Sequence, residues 1–393
     1  MTLFREDSYI IIPIFFSKSK IMMIITILIS SLIIFILRTI LFSIGAYRER
    51  NKKLIQKEQS ENPYISIVVP ARNEENNIAA CIESISKNKY PSYKFEIIAV
   101  NDRSTDHTSE ILSNLKQKYD NLKIIEISEE IAKKNLRGKP GALQAGIEAA
   151  KGDIVIMTDA DCTVTPKWLE TISENFNNPE IALVPSFTNV KGNRIFDKLQ
   201  AVEWIYMHTM AMGGAGLNII LGCFGNNLSV RKNNFINIGG YEKIKFSVTE
   251  DYALMNAIAQ TGAKINYVCS PDSLVSTLPC GNIKEYLSQH HRWATGGIDL
   301  GWKAVFFVGS TVAVWLGLLL SIISGNINWF ITIFSARLLG DFALISPSII
   351  KLRLKKLLKW LLPSVIFFMI IELIVPFLLL DKKIIWKGQV FRK

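Results

Sequence analysis

Apolar positions along the chain fall into two regimes. The run Ile21–Ala46 is apolar almost without break, with Arg38 its single charge, and three more such runs, Ala304–Ser324, Trp329–Ile350 and Trp360–Leu380, crowd the C-terminal quarter. At about 1.5 Å per residue, roughly twenty residues cross a hydrocarbon core about 30 Å thick, so each run is long enough to span a bilayer. The middle of the chain is different. Short β-rich runs (Ile65–Val69, Phe95–Val100, Leu122–Ile127, Ile154–Met157) alternate with helical stretches from Asn76 to Ile85, Asp106 to Tyr119 and Pro140 to Ala150. Asn76 and Asp106 are of the N-capping type, and Pro140 suits a first helical turn. This alternation predicts an α/β domain with a mostly parallel sheet and helices on both faces. In such folds ligands bind beyond the carboxyl ends of the strands.

The pattern divides the chain into an N-terminal tail (1–20), a transmembrane helix (21–46), a basic linker (47–62) and a central domain (63–300). About three transmembrane or re-entrant helices (304–380) and a basic tail (381–393) follow. The first apolar run is too long for a cleaved signal peptide, and no small-residue cleavage pattern follows it. Arg38, near its end, can snorkel to the interface. Asp341 and Glu372 fall at membrane depth, where a carboxylate either lines a lipid groove or makes a polar helix contact.

The net charge of +11 resides largely in clusters flanking the apolar runs, Arg48–Lys53 and Lys351–Lys359. Such clusters hold a domain on the cytoplasmic side and touch anionic lipid. The expected location is therefore a cell membrane, multi-pass, with the central domain cytoplasmic. Three C-terminal spans would strand the basic tail on the opposite side, so parity favours a re-entrant or interfacial segment among them. There is no zinc-ligand spacing and no basic-aromatic RNA signature, so nucleic acid is not an expected partner. The five cysteines lack any C-x-x-C and fit a reducing compartment.

Polar clusters follow the strand-like runs. Asp159-Ala160-Asp161 places two carboxylates at a strand end, as hard divalent cations such as Mg2+ or Mn2+ require. An acidic turn can produce the same triplet. Asp102 at another strand end suits the donors of a uracil or guanine edge. Lys139, in R-G-K-P-G-A-L, enters a helix from a glycine-bearing loop, a phosphate-favouring arrangement unless it is a solvated lysine. In Thr249-Glu250-Asp251 the threonine can cap a helix and the acids suit its dipole, while Asp251 can also serve as general base with Glu250 beside it. Gln289, Arg292 and Trp293 share one face of a helix capped by Asn282, a set suited to a diphosphate and a sugar ring. His290 and His291 point elsewhere, as surface or packing residues. Phe196–Ile220, rich in aromatics and methionine, reads equally as an interfacial helix or a buried one.

Taken in order, I-S-I-V-V-P-A-R-N-E-E, V-N-D-R-S-T-D, G-K-P-G-A-L, D-A-D, T-E-D and Q-H-H-R-W resemble family 2 glycosyltransferases with the GT-A fold, in their membrane-integrated branch. The resemblance covers about Tyr64 to Trp293. It implies an inverting transferase that uses a nucleotide-sugar, a UDP-sugar sooner than a GDP-sugar, and a membrane lipid or growing glycan as acceptor. Ala71, Glu74 and Asp102 would meet the nucleoside, and Lys139 the diphosphate. Asp159 and Asp161 would take the sugar-diphosphate and the metal. Asp251 would be the base, and Gln289, Arg292 and Trp293 would close over the site. Gly225–Lys232 matches a family segment near the acceptor. The tail W-K-G-Q-V departs from the family's W-K-G-R at Gln389. Two alternatives are a processive polysaccharide synthase and a non-catalytic membrane partner of a transferase.

Overall fold

The computed structural model describes residues 18–52, 62–127, 136, 138–381, 383–386 and 389–392. Most of the expected N-terminal tail and basic linker, and Lys382, Lys387, Gly388 and Lys393 of the basic tail, lie outside the described residues. The first described element is a 33-residue helix, α1 (Lys18–Arg50).

The central domain is built on a seven-stranded sheet. Its strands are β1 (Ile65–Ala71), β2 (Phe95–Asn101), β3 (Leu122–Glu126), β4 (Ile154–Met157), β6 (Ile181–Pro185), β8 (Leu228–Arg231) and β9 (Lys264–Ile265), in the order β3-β2-β1-β4-β8-β6-β9. The β3-β2-β1-β4 half is parallel, and β8 runs antiparallel to both β4 and β6. Strands covered on both faces read as nearly continuous apolar runs, which is why β1, β2 and β4 were plain in the sequence. Successive side chains serve opposite cores. Ile65, Ile67 and Val69 join one cluster with Ile82 and Trp168, while Val68, Ile98 and Val100 join another with Ile147 and Leu254. The crossover helices are α2 (Ile78–Ser86), α3 (Thr108–Lys118) and α4 (Lys139–Ala149). A small second sheet, β5 (Thr163–Val164), β10 (Val275–Thr277) and β7 (Thr188–Val190), closes one side of the cleft. Helices α5 (Trp168–Asn175), α6 (Ile195–Ala215), α7 (Lys232–Asn237), α8 (Gly240–Lys243), α9 (Glu250–Gln260) and α10 (Ile283–Gly297) complete the domain.

Capping differs in detail from the expectation. Asn77, not Asn76, precedes α2 and makes no side-chain cap bond. His107, not Asp106, is the N-cap of α3; Asp106 accepts from the Thr108 N–H at 3.0 Å and from the Glu75 N–H at 3.1 Å, joining two strand-end loops. Thr249 makes no side-chain cap bond on α9, because its hydroxyl turns to Ser247. Asn282 caps α10 by accepting from the Glu285 N–H.

The C-terminal quarter is α11 (Ser310–Ile323), α12 (Ile327–Lys351) and α13 (Leu361–Leu378), then a hairpin of β11 (Lys383–Trp386) and β12 (Gln389–Arg392). In the expected Ala304–Ser324 span a π-helical turn, Val305–Gly309, leads into 14 α-helical residues, Ser310–Ile323, and the chain kinks at Gly301 just before it. Among the described residues, three helices are long and apolar enough to cross a membrane: Lys18–Arg50, Ile327–Lys351 and Lys355–Leu378.

Arg38 does not snorkel. It is buried and pairs with Asp341 at 3.3 Å and with the Tyr206 hydroxyl. Arg337 bonds Asp341 at 2.6 Å and Glu372 at 2.7 Å, so both carboxylates make polar helix contacts. Seven residues further along each chain, α1 and α6 touch at glycines. A Cβ on Gly45 would lie 2.0 Å from the Gly213 carbonyl oxygen, and one on Gly216 would lie 2.1 Å from that of Gly45. The second half of α1 therefore runs beside α6, a buried helix of the central domain.

Candidate active site

The ends of β1, β2 and β4 open into one cleft of about 260 Å3. Asn101 and Asp102 end β2, and the Asp102 N–H donates to the Ala71 carbonyl across the gap from β1. The Asp102 carboxylate receives Arg103 at 2.9 Å and faces Arg72 at 3.7 Å. Glu74 sits beside it, its backbone held by the Thr108 hydroxyl at 2.8 Å and its carboxylate by the Asn77 amide at 2.9 Å.

Beyond β4, Asp159 and Asp161 both line the cleft. The Asp161 carboxylate accepts from the Thr277 hydroxyl at 3.3 Å and from the Cys162 thiol at 3.4 Å. Lys139, where α4 begins, places its ammonium 2.6 Å from Asp159 and 3.2 Å from Glu250. It is no solvated lysine. Burial alone would lower its pKa, but Asp159 and Glu250 outweigh that and raise it.

Asp251, the second residue of α9, accepts the Gly225 N–H at 2.8 Å on one oxygen and the Tyr252 N–H at 2.8 Å on the other. Gly225 allows this approach, since a side chain there would press on Lys139 and Asp251. Burial pushes the Asp251 carboxyl up to about 6, with the neighbouring Glu250 adding and Lys139 opposing. A carboxyl in that range exchanges protons near neutral pH. From the opposite wall, Gln289, Arg292 and Trp293 of α10 face the same space. Gln289 accepts from the Cys280 thiol at 3.6 Å, and Arg292 has no carboxylate partner among the described residues.

All eleven residues expected from the sequence thus line a single cleft. Sequence reasoning missed an aromatic wall, Trp204 of α6 with Phe224 and Trp293. The Trp204 ring centroid is 4.9 Å from that of Phe224 and 5.6 Å from that of Trp293. Asn226, whose side chain receives the Thr188 hydroxyl, belongs to the Gly225–Lys232 segment expected near the acceptor, though no residue of it was singled out. Trp204 lies in the stretch Phe196–Ile220 that periodicity could not place, and only its composition hinted at a role.

The cleft's charge bears on any cation. Among the described residues, Glu74, Asp102, Asp159, Asp161, Glu250 and Asp251 face it against Arg72, Lys139 and Arg292. An anionic diphosphate would meet net negative charge there unless a cation accompanied it. No group of three or more His, Cys, Asp or Glu suited to a metal occurs among the described residues. Two carboxylates with open positions still fit a hard divalent ion that keeps waters and substrate phosphates as its other ligands.

The family model for glycosyl transferase family 2 matches residues 66–252, from β1 to the start of α9. This stretch is a family 2 glycosyltransferase domain. A beta-monoglucosyldiacylglycerol synthase of Nostoc sp. is 29% identical over 251 residues, 62% of this chain and 51% of that one. A poly-beta-1,6-N-acetyl-D-glucosamine synthase of Staphylococcus epidermidis is 27% identical over 254 residues, 63% of this chain and 58% of that one. The chain spans little more than half the length of these curated relatives. Among solved structures, mannosyltransferase PcManGT from Pyrobaculum calidifontis, in complex with GDP-Man and Mn2+, superposes with a TM-score of 0.59 at 17% identity, over 88% of this chain and 99% of that one. The glycosyltransferase domain therefore has the GT-A fold, and apolar helices flank it on both sides in the sequence.

Proposed function

We propose that the chain is an inverting, metal-dependent glycosyltransferase that moves one sugar from a nucleotide-diphosphate sugar, a UDP-sugar first, to a membrane lipid. The observation carrying this reading is the convergence of Asp102, Asp159, Asp161, Asp251 and Arg292 on one cleft whose aromatic wall belongs to helices packed on the apolar ones. Asp102, Glu74 and the Ala71 backbone would bind the nucleoside. Asp159 and Asp161 would hold Mg2+ or Mn2+, which when bound offsets the charge of the diphosphate leaving group. Arg292, lacking a carboxylate partner among the described residues, would take the diphosphate with Gln289, and Trp293 would lie against the sugar.

Asp251 accepts the proton of the acceptor hydroxyl as that oxygen attacks the anomeric carbon. The bond to the diphosphate breaks on the opposite face, so the configuration inverts and no covalent enzyme intermediate forms. The two N–H donors on Asp251 fix its direction, and its raised pKa keeps it basic enough to act near neutral pH. The basic clusters at the ends of α1 and α12 support a cytoplasmic cleft.

The test is purified protein in lipid nanodiscs with Mg2+ or Mn2+, a panel of nucleotide-sugars and a total lipid extract, read by mass spectrometry. A lipid gaining one hexose or hexosamine is the expected product. No turnover of any donor would defeat the reading and favour a non-catalytic membrane partner. The likeness to the poly-N-acetylglucosamine synthase gives the processive reading a specific basis. Long polymer formed without added lipid would establish it instead.

A further inference from the structure

His290 stands between Gln289 and Arg292 in sequence, yet its ring faces away from the cleft and is buried. Its Nε2 lies 2.7 Å from the Glu203 carboxylate of α6, and its Nδ1 lies 2.9 Å from the Tyr286 carbonyl oxygen one turn earlier on α10. The carbonyl accepts only, as does an ionised Glu203, so with Glu203 ionised both ring nitrogens carry hydrogen and the ring is an imidazolium. The second Glu203 oxygen accepts the Tyr286 hydroxyl at 2.7 Å. A buried ion pair thus joins α6 to α10. Trp204, next to Glu203, and Trp293, one turn from His290, are the two tryptophans of the cleft wall, and the His290 and Trp293 rings are 5.2 Å apart.

We propose that Glu203 and His290 are a positioning pair, which locks α10 onto α6 and so sets the spacing of Trp204, Trp293 and Arg292 around the bound substrates. The inference rests on the transferase reading above. The His290 ring bonds Glu203 of α6 and the Tyr286 backbone of its own helix; Cys280, of the loop before α10, and the apolar Phe367 of α13 lie beside Tyr286. Burial alone would lower the His290 pKa, but Glu203 outweighs it and raises it above the ordinary histidine value. His208, equally buried on α6, has no carboxylate and is pushed down to about 3, so it stays neutral. Loss of the His290 proton at alkaline pH would leave Glu203 charged and unmatched in the interior, where the lock would open.

The experiment compares wild type with His290→Gln and with the double variant Glu203→Gln, His290→Gln, which leaves no buried charge. Transfer kinetics are measured from pH 6 to 10, beside the tryptophan emission of the same samples. Wild type should lose kcat/KM on the alkaline side, with its tryptophan emission shifting in the same range as the imidazolium beside Trp293 is lost. His290→Gln should lose at least tenfold in kcat/KM with the emission shift gone. The double variant should recover part of the rate and show no alkaline loss. Should His290→Gln not fold, the double variant carries the same comparison. Wild-type rates and an unchanged alkaline limb in a folded variant would overturn the pair while leaving the transferase reading intact. If wild type turns over no donor, the transferase reading fails, and the emission titration still decides the pair: a shift surviving in the variants would overturn it.

Discussion

Replacing Asp251 with asparagine should abolish transfer and, in the absence of substrate, stabilise the fold. The carboxyl is buried and raised from 3.8 to about 6. A shift of roughly two units corresponds to about 3 kcal/mol, since one unit is about 1.4 kcal/mol. The sign follows from proton binding. Between pH 4 and 6 the folded state holds a proton that the unfolded chain has released, so stability falls as pH rises through that window. Above pH 6 the full cost is present; below pH 4 it is absent. Asparagine carries no charge and can accept only one of the two N–H groups from Gly225 and Tyr252, so about 3 kcal/mol is a ceiling. At roughly 2–4 °C per kcal/mol for a domain of this size, the gain in Tm should be several degrees at pH 7.5 and should vanish near pH 4. The assay is thermal unfolding in detergent with EDTA, run across pH for both proteins. An unchanged or lower Tm at pH 7.5, or a gain of the same size at pH 4, would refute the reasoning. The same titration predicts that wild-type turnover falls about tenfold per pH unit below 6.

Chelation with EDTA should stop turnover, with recovery on adding Mn2+ or Mg2+, and Asp161→Ala should stay inactive at any metal concentration while expressing normally. Full activity in EDTA would contradict the cation site. Gly45→Ala forces a methyl to within 2.0 Å of the Gly213 carbonyl, so it should cost on the order of 1–3 kcal/mol, seen as a lower Tm in detergent. Gly297→Ala, where nothing lies within 4 Å, is the control and should be near neutral. Asp341→Ala leaves Arg38 and Arg337 with one carboxylate between them and should cost about 3–5 kcal/mol. Adding Arg38→Met should restore part of that loss, and a double variant no better than the single would count against the network.

The parallel half of the sheet was legible because its strands are rich in Val and Ile and β1, β2 and β3 are each followed by a helix. The site was legible for a related reason. Most of its residues sit at strand ends and helix starts, and Gln289, Arg292 and Trp293 share one face of α10, so local spacing already fixes which side they face. What escaped has a common cause in long-range pairing. Arg38 looked like a snorkelling residue because nothing within ten positions can neutralise it, and its partners are 168 and 303 residues away. Glu203 and His290 are 87 apart and carry no local pattern. The π turn Val305–Gly309 lies inside an apolar run, where composition does not register it, and the kink at Gly301, φ 57°, falls just before that run.

The glycine seam between α1 and α6 changes what the N-terminal helix is for. A mere tether could be exchanged for any hydrophobic anchor, or cut away to give a water-soluble enzyme. Here the last turns of α1 form one wall of the globular unit, with Phe42 and Ala46 embedded in it. Trimming the protein at residue 50 would bare the flank of α6 that Gly213 and Gly216 present to α1. A swapped anchor would have to reproduce the bare backbone at position 45. Anchoring and folding of this protein are thus a single event.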